Sequence, residues 1–194
     1  CADPDAGASR QSEKYPDRRI VVVDSLAATL GQGLLVYKAV QLKEAEKNLD
    51  EIAAWLEENK YHLVHNFTVD DLFHLHRGGR LSKTAAIVGT MINLKPVLHV
   101  DDEGHLVMLS KVRGRKKSLI GLVDCMEKQL GDWKDKNDII FISHGDCPED
   151  AQFVADLIKE RFGYENFMID YIGATIGAHS GPGTVALFYM GDHR

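Results

Sequence analysis

Short apolar runs alternate with segments of helical periodicity along most of the chain. The first half predicts a buried strand at residues 18–25 and a helix with a glycine-rich start at residues 26–48. An amphipathic helix at residues 48–62 and a second strand at residues 60–67 follow. Asn48 or Asp50 is the expected N-cap of the amphipathic helix. This order of elements predicts a right-handed crossover in an α/β layer.

The second half combines a hairpin with further strand and helix signals. Residues 96–112 alternate in polarity around an Asp-Glu-Gly turn, the clearest hairpin pattern in the chain. A short helix should end at Gly78 and Gly79, and a longer one should begin with Ser82 as its N-cap and stop before Pro96. The remaining predicted elements are helices at 118–132 and 147–163 and strands at 138–145, 166–173 and 184–191.

These patterns predict the α/β fold class with two α/β domains. Residues 1–78 are assigned to a partial N-terminal domain with a parallel-sheet layer, and residues 1–17 within it are expected to be irregular. Residues 79–194 are assigned to a C-terminal domain with a mixed sheet and flanking helices. The boundary is placed where the glycine-bearing segment separates the crossover-like first half from the hairpin.

Composition narrows the class of protein. The 194 residues carry a net charge of -6, which argues against a broad nucleic-acid footprint. The three cysteines lack CxxC spacing, so reduced thiols and a cytoplasmic location are expected. No stretch approaches the roughly 20 apolar residues of a membrane span, and the polar start does not resemble a targeting peptide. No HExxH-like ligand set appears, so no metal site is predicted.

Two basic segments are candidates for recognition of anions or acidic surfaces. The turn from Arg77 to Lys83 brings Arg80 and Ser82 to a predicted helix start, where an anion would be favoured, although a solvated interdomain turn explains the same residues. Residues 110–117 carry five cations. A partner with an acidic or phosphate-bearing surface, a solvated helix start and a DNA contact are the alternatives for this segment.

Two histidines are candidates for a chemical role, one in nucleophilic catalysis and one in carboxylate binding. His144 lies at the end of a predicted strand, three residues before Cys147, which allows a nucleophile hypothesis without establishing contact between the two side chains. His179 lies in a run of glycines before the last strand, and such a loop can fix the direction of its ring. An imidazole can donate one or two hydrogen bonds to a carboxylate. A tight turn with an incidental histidine is the alternative.

Several segments together resemble the DegV family of bacterial fatty-acid-binding proteins. The similar segments are VVVDS with the following LGQGLLV, then FTVDDLFHLHRGGRLSK, then KVRGRKKSL and finally IGAHSGPGTVALFYMG, over residues 20–191. A complete member also carries an earlier strand and hydroxyl-bearing segments that hold the carboxylate. The resemblance therefore implies that this chain lacks the N-terminal part of the first domain.

The same resemblance implies a function and a set of site residues. A long-chain fatty acid would be held in a cleft between the two domains, and its carboxylate would be presented to the catalytic subunit of fatty acid kinase for phosphorylation. The protein would then not be an enzyme by itself, would need no cofactor and would have no transmembrane segment, with membrane contact at most transient. The implied ligand-binding residues are His179, Arg80, Ser82, Gly181, Phe67, Ile87, Met91 and Ile176, and the implied partner-binding residues are Arg113 and Arg115.

The residues also leave an enzymatic alternative. A small-molecule hydrolase would use His144 and Cys147, and a phosphotransferase would use the turn from Arg77 to Lys83.

Overall fold

The computed structural model describes residues 13–79 and 94–194. The helices in those ranges are α1 (Leu30–Glu44), α2 (Leu49–Asn59), α3 (Leu72–Arg77), α4 (Arg115–Gln129), α5 (Pro148–Phe162) and α6 (Ala174–Ser180). The strands are β1 (Leu63–Thr68), β2 (Leu94–Val100), β3 (Leu106–Arg113), β4 (Ile140–His144), β5 (Phe167–Tyr171) and β6 (Val185–Met190). Short 3-10 helices occupy Lys60–His62 and Gly131–Lys136.

The strands form one mixed six-stranded sheet in the order β3-β2-β1-β6-β4-β5. β4 and β5 are parallel, and the other neighbouring strands are antiparallel. The α/β fold class with a mixed sheet and flanking helices is thereby confirmed. The parallel-sheet layer predicted for residues 1–78 is wrong, because β1, the one strand of that range among the described residues, is antiparallel to both of its neighbours. β1 lies before the predicted domain boundary and pairs with both β2 and β6. The boundary itself, between residues 78 and 79, stays a prediction.

Side chains alternate across the sheet and build a hydrophobic core on each face. Val64, Leu187 and Tyr189 face one side, where they pack with apolar residues of α4 and α5. Leu63 and Phe188 face the other side, where they pack with residues of α1 and α3. β1 and β6 are buried along their whole lengths because helices cover both faces.

Many of the predicted elements are confirmed. The hairpin forms as β2 and β3, and α4, β4, α5, β5 and β6 lie close to their predicted places. Asn48 caps α2 in a reciprocal capping box with Glu51. The helix predicted after Ser82 falls almost entirely on residues that the structure does not describe.

The buried strand predicted at residues 18–25 is wrong, and with it the right-handed crossover to the strand at residues 60–67. This segment has no regular secondary structure, and Ile20, Val21 and Val22 are 37%, 40% and 38% exposed. A strand needs a neighbour to satisfy its backbone groups. None of the described strands pairs with this segment, so its β-branched composition alone does not make it a strand.

The glycine-rich loop predicted around His179 is partly wrong as well. Residues 174–180 form α6, and only the residues after Ser180 form a turn. Gly177 is helical, whereas Gly181 and Gly183 have positive φ angles of 81° and 73°. Two of these three glycines therefore adopt the positive φ angles that favour glycine, whereas Gly177 does not.

Candidate functional site

His179 lies at the C-terminal end of α6, immediately before the turn that leads into β6. Gly181 ends the helix in a conformation that favours glycine, and its backbone N–H donates to Gly177 O over 2.8 Å. The imidazole is half-buried. The side chain is therefore fixed by a helix end and is still reached by solvent.

Helix α3 contacts the C-terminal end of α6. His74 Nε2 donates to Ala178 O over 3.0 Å. A Cβ built on Gly78 would stand 3.1 Å from His179 Nδ1, so the ring of His179 lies directly against the Gly78 backbone. A Cβ on Gly181 would meet the ring of His74 at 2.7 Å. Gly181, which also has a positive φ angle, therefore has no room for a side chain, whereas a Cβ at residue 78 would need the His179 ring to move by a few tenths of an ångström.

The turn after α6 is fastened to the end of β4. Gly183 N–H donates to Gly145 O over 2.6 Å, and Gly145 N–H donates to Thr184 O over 2.8 Å. The Thr184 hydroxyl faces Ser180 O and Gly181 O at 3.0 and 2.9 Å. This network fixes the backbone on both sides of His179.

An ion pair lies at the same end of the sheet. Lys95 Nζ donates to Asp70 O over 2.6 Å and also bonds the Asp70 carboxylate. A Cβ on Gly183 would stand 2.7 Å from Asp70 Cβ, so this pair borders the turn beside His179.

Sequence reasoning missed Asp70, His74 and Lys95. The i, i+4 spacing of His74 and Gly78 could have indicated a contact surface on α3, because residues so spaced share a helix face.

Ser180, next to His179, carries a buried hydroxyl. Among the described residues its Oγ has no hydrogen-bond partner, and the residue is only 7% exposed. A buried hydroxyl without a partner costs free energy, because it gives up hydrogen bonds to water. Ser180 is therefore a second polar group near His179 whose hydroxyl has no hydrogen-bond partner within residues 13–79 and 94–194.

The other predicted ligand residues divide into two groups. Phe67 is buried in the core on the α1 and α3 face, and Ile176 is half-buried on α6, three residues from His179. The second group, Arg80, Ser82, Ile87 and Met91, lies outside the described residues. Arg77, at the start of the basic turn, is exposed and lies 3.6 Å from an Asp71 carboxylate oxygen.

The two predicted partner-binding arginines differ in exposure. Arg113 ends β3 with an exposed side chain. Arg115 begins α4, and its Nε donates to Asp150 Oδ2 over 2.7 Å, while its Nη2 lies 3.7 Å from Cys147 Sγ. Arg115 is therefore only partly exposed, because the ion pair with α5 draws its guanidinium inward.

The contacts of Cys147 and His144 disfavour a thiolate nucleophile. The Cys147 backbone N–H donates to His144 Nδ1 over 3.3 Å, whereas the thiol points to Thr184 O at 3.4 Å. Burial raises the pKa of the Cys147 thiol, despite the opposing effect of the Arg115 charge. A protonated thiol that donates to a carbonyl lacks the activation that nucleophilic catalysis needs.

Three ligand-type side chains meet at the hairpin turn. Asp101, Glu103 and His105 offer atoms within 4.8 Å of one another. Asp101 already accepts backbone N–H groups of Glu103 and His105. This arrangement is typical of a turn held by an aspartate side chain and does not require an ion.

Two of the cavities in the described part of the molecule are large enough to be considered as ligand sites. One of about 330 Å³ lies between α1 and α2 and has mainly apolar walls, including Leu35, Val40 and Ile52. The other, of about 680 Å³, lies between α4 and the edge strand β3, and Lys117, Lys128 and Arg194 are among its lining residues. No helix in the described ranges is long and apolar enough to cross a bilayer.

Comparisons with known proteins agree with this architecture. A family model described as "Uncharacterised protein, DegV family" matches residues 6–192. A DegV domain-containing protein of Clostridium perfringens is 51% identical over 182 residues, which cover 94% of this chain and 62% of that relative. The chain thus spans less than two thirds of the relative's length.

Solved structures share the fold. A fatty acid binding DegV family protein from Streptococcus agalactiae superposes with a TM-score of 0.81 at 29% identity, over 97% of this chain and 65% of that one. The Fatty Acid Kinase (Fak) B3 protein of Streptococcus pneumoniae, loaded with linoleic acid, gives a TM-score of 0.85 at 24% identity, over 97% and 66% of the two chains. The family match, the curated relative and the shared fold lead to one conclusion: the chain belongs to the DegV family.

Proposed function

We propose that this protein binds a long-chain fatty acid and that His179 receives its carboxylate. The observation that carries the proposal is the fixed position of His179, at a helix end held by α3 and by the turn to β6. The fatty acid binding reported for the Streptococcus agalactiae protein supports the ligand class. The protein is proposed to act as a carrier in the cytoplasm, with its two domains enclosing the ligand.

A carboxylate needs hydrogen-bond donors at such a site. A buried unpaired carboxylate costs several kcal/mol, so donors determine the orientation of the ligand more than its total affinity. His179 can donate from its imidazole, and the neighbouring Ser180 hydroxyl is a second donor with no partner among the described residues. Arg80 and Ser82 are proposed to complete this end, and Gly181 lets the backbone approach closely.

The acyl chain supplies the binding free energy. Each buried CH₂ contributes about 0.8 kcal/mol, so a chain of about sixteen carbons gains on the order of 10 kcal/mol before the costs of association. Phe67, Ile87, Met91 and Ile176 are proposed as wall residues. Of these, Phe67 is buried in the apolar cluster on the face covered by α1 and α3.

A kinase subunit is proposed as the protein partner. The likeness to the Fak B3 protein suggests that the bound acid is presented to a separate subunit that makes the acyl phosphate. Arg113 is proposed as the contact residue because its side chain is exposed at the end of β3. Arg115 is proposed to support that surface through its ion pair with Asp150.

Fatty-acid binding by matched histidine variants tests the proposal. The purified protein is extracted with organic solvent and analysed by mass spectrometry, and affinity for oleic acid is measured by calorimetry. His179→Ala should weaken binding about tenfold or more, because it removes a donor to a charged group. His193→Ala removes an exposed histidine near the C-terminus and should leave the affinity unchanged.

Two results would contradict the proposal. Recovery of no lipid together with no measurable oleic-acid binding would overturn the ligand class. Equal affinities of the wild type and His179→Ala would remove the proposed role of the imidazole while leaving the ligand class intact.

A further inference from the structure

Helix α3 touches the end of α6 at two positions one helical turn apart. His74 and Gly78 have i, i+4 spacing and therefore lie on the same face of α3. His74 donates to Ala178 O, the carbonyl of the residue immediately before His179. Gly78 lies against the imidazole of His179 itself.

We infer that His74 and Gly78 are positioning residues that set the direction of the His179 ring. The hydrogen bond from His74 fixes the peptide that joins Ala178 to His179. Because Gly78 has no side chain, His179 Nδ1 can lie close to its backbone. A Cβ at residue 78 would stand 3.1 Å from that nitrogen. The inference rests on the proposed function, since it assigns to these residues the support of the carboxylate-binding imidazole.

The hydrogen bond also assigns a tautomer. Because Ala178 O can only accept, the proton of a neutral His74 ring is on Nε2. Protonation adds a proton at Nδ1 and leaves the Nε2 donor in place. The contact with α6 is therefore kept in both charge states of His74, which suits a residue that holds a neighbour in position.

The two contacts act on different features of His179. Loss of the His74 donor frees the backbone of α6 near its end, where a seven-residue helix has few hydrogen bonds of its own. A methyl group at Gly78 leaves the backbone bond intact and displaces the ring by a few tenths of an ångström. A variant of His74 therefore tests how the Ala178–His179 peptide is positioned, and a variant of Gly78 tests how the His179 ring is positioned.

NMR of the His179 imidazole together with oleic-acid affinity tests the inference. His74→Ala should shift the His179 ring resonances and weaken affinity about fivefold, the effect of losing one hydrogen bond. His74→Gln keeps an N–H donor near the position of Nε2 and should restore most of the affinity. Gly78→Ala should shift the same resonances and weaken affinity by a factor of about two to five.

His76→Ala is the matched control, because a side chain two positions along α3 projects about 200° away from His74. It should leave both readouts unchanged, and thermal unfolding reports whether each variant is folded. Unchanged His179 resonances in the folded Gly78→Ala and His74→Ala variants would overturn the inference. The resonances are recorded without ligand, so a failure of fatty-acid binding in the wild type would not be mistaken for this result.

Discussion

A side chain at residue 183 has no room in this fold. A Cβ there would stand 2.7 Å from Asp70 Cβ, and the backbone has a φ angle of 73°. Gly183 also donates its N–H to Gly145 O, which ties the turn beside His179 to the end of β4. Both the conformation and the contact require glycine.

Gly183→Ala should therefore destabilise the protein by about 2–4 kcal/mol, the sum of a positive-φ penalty and a steric clash. Gly163→Ala is the matched control, since Gly163 has a φ angle of 79° with no atom within 4 Å of the built Cβ. It should cost about 1 kcal/mol. Urea unfolding of the two variants measures the difference, and equal losses would show that the contact with Asp70 has no energetic effect.

At the scale of secondary structure elements, the sequence predicts best where local signals act alone. The capping box of α2, the hairpin turn and the proline in the first turn of α5 all depend on neighbours in sequence. Residues 18–25 and α6 depend on distant partners instead. The apolar run lacks a neighbouring strand among the described elements, whereas α6 is held by α3 and by the turn beside β4.

The candidate site follows the same division. His179 and Gly181 could be selected from sequence because glycines and an imidazole stand together there. Their supports could not be selected, since His74, Asp70 and Lys95 reach the turn only through tertiary packing. The partial burial of Arg115 could not be predicted for a related reason, because its partner Asp150 is 35 residues away.

The cap of α2 gives a prediction for a single element. Asn48 Oδ1 accepts the N–H groups of Asp50 and Glu51, and the Glu51 carboxylate accepts the Asn48 N–H. Asn48→Ala should lower the free energy of unfolding by about 1 kcal/mol, whereas Asn48→Asp should be close to neutral. Chemical denaturation compares the two variants. An alanine variant as stable as the aspartate variant would contradict the role of the cap.

At the scale of the whole molecule, one buried histidine should control stability toward acid. Burial, with smaller effects of Arg194 and His99, lowers the pKa of His65 to about 3. Its ring packs 4.5 Å from the ring of Phe188 in the core between α1 and the sheet. A neutral imidazole is therefore part of the folded core.

The sign of the pH dependence follows from this shift. The unfolded chain binds a proton near pH 6.5, whereas the folded chain does so only near pH 3. The contribution is fully present above about pH 6.5 and is lost progressively as the pH falls toward about 3, with a slope of at most about 1.4 kcal/mol per pH unit.

His65→Phe should remove this part of the slope, because phenylalanine does not titrate and fits an aromatic environment. Urea unfolding at pH 7, 6, 5 and 4 makes the comparison, and His105→Phe at the exposed hairpin turn serves as the control. Parallel pH profiles for the wild type and His65→Phe would show that His65 does not titrate on unfolding.

The position of β6 in the sheet has a consequence for how the molecule opens. This strand is paired on both sides, by β1 and by β4, and all its residues are buried. Amide groups in such a strand exchange with solvent chiefly when the entire domain unfolds. The turn that follows His179 and Ser180 is continuous with this strand, so the proposed headgroup end is anchored next to the last part of the fold to open. Local opening that admits a long alkyl chain would then occur in the peripheral helices, while the backbone next to His179 keeps its place.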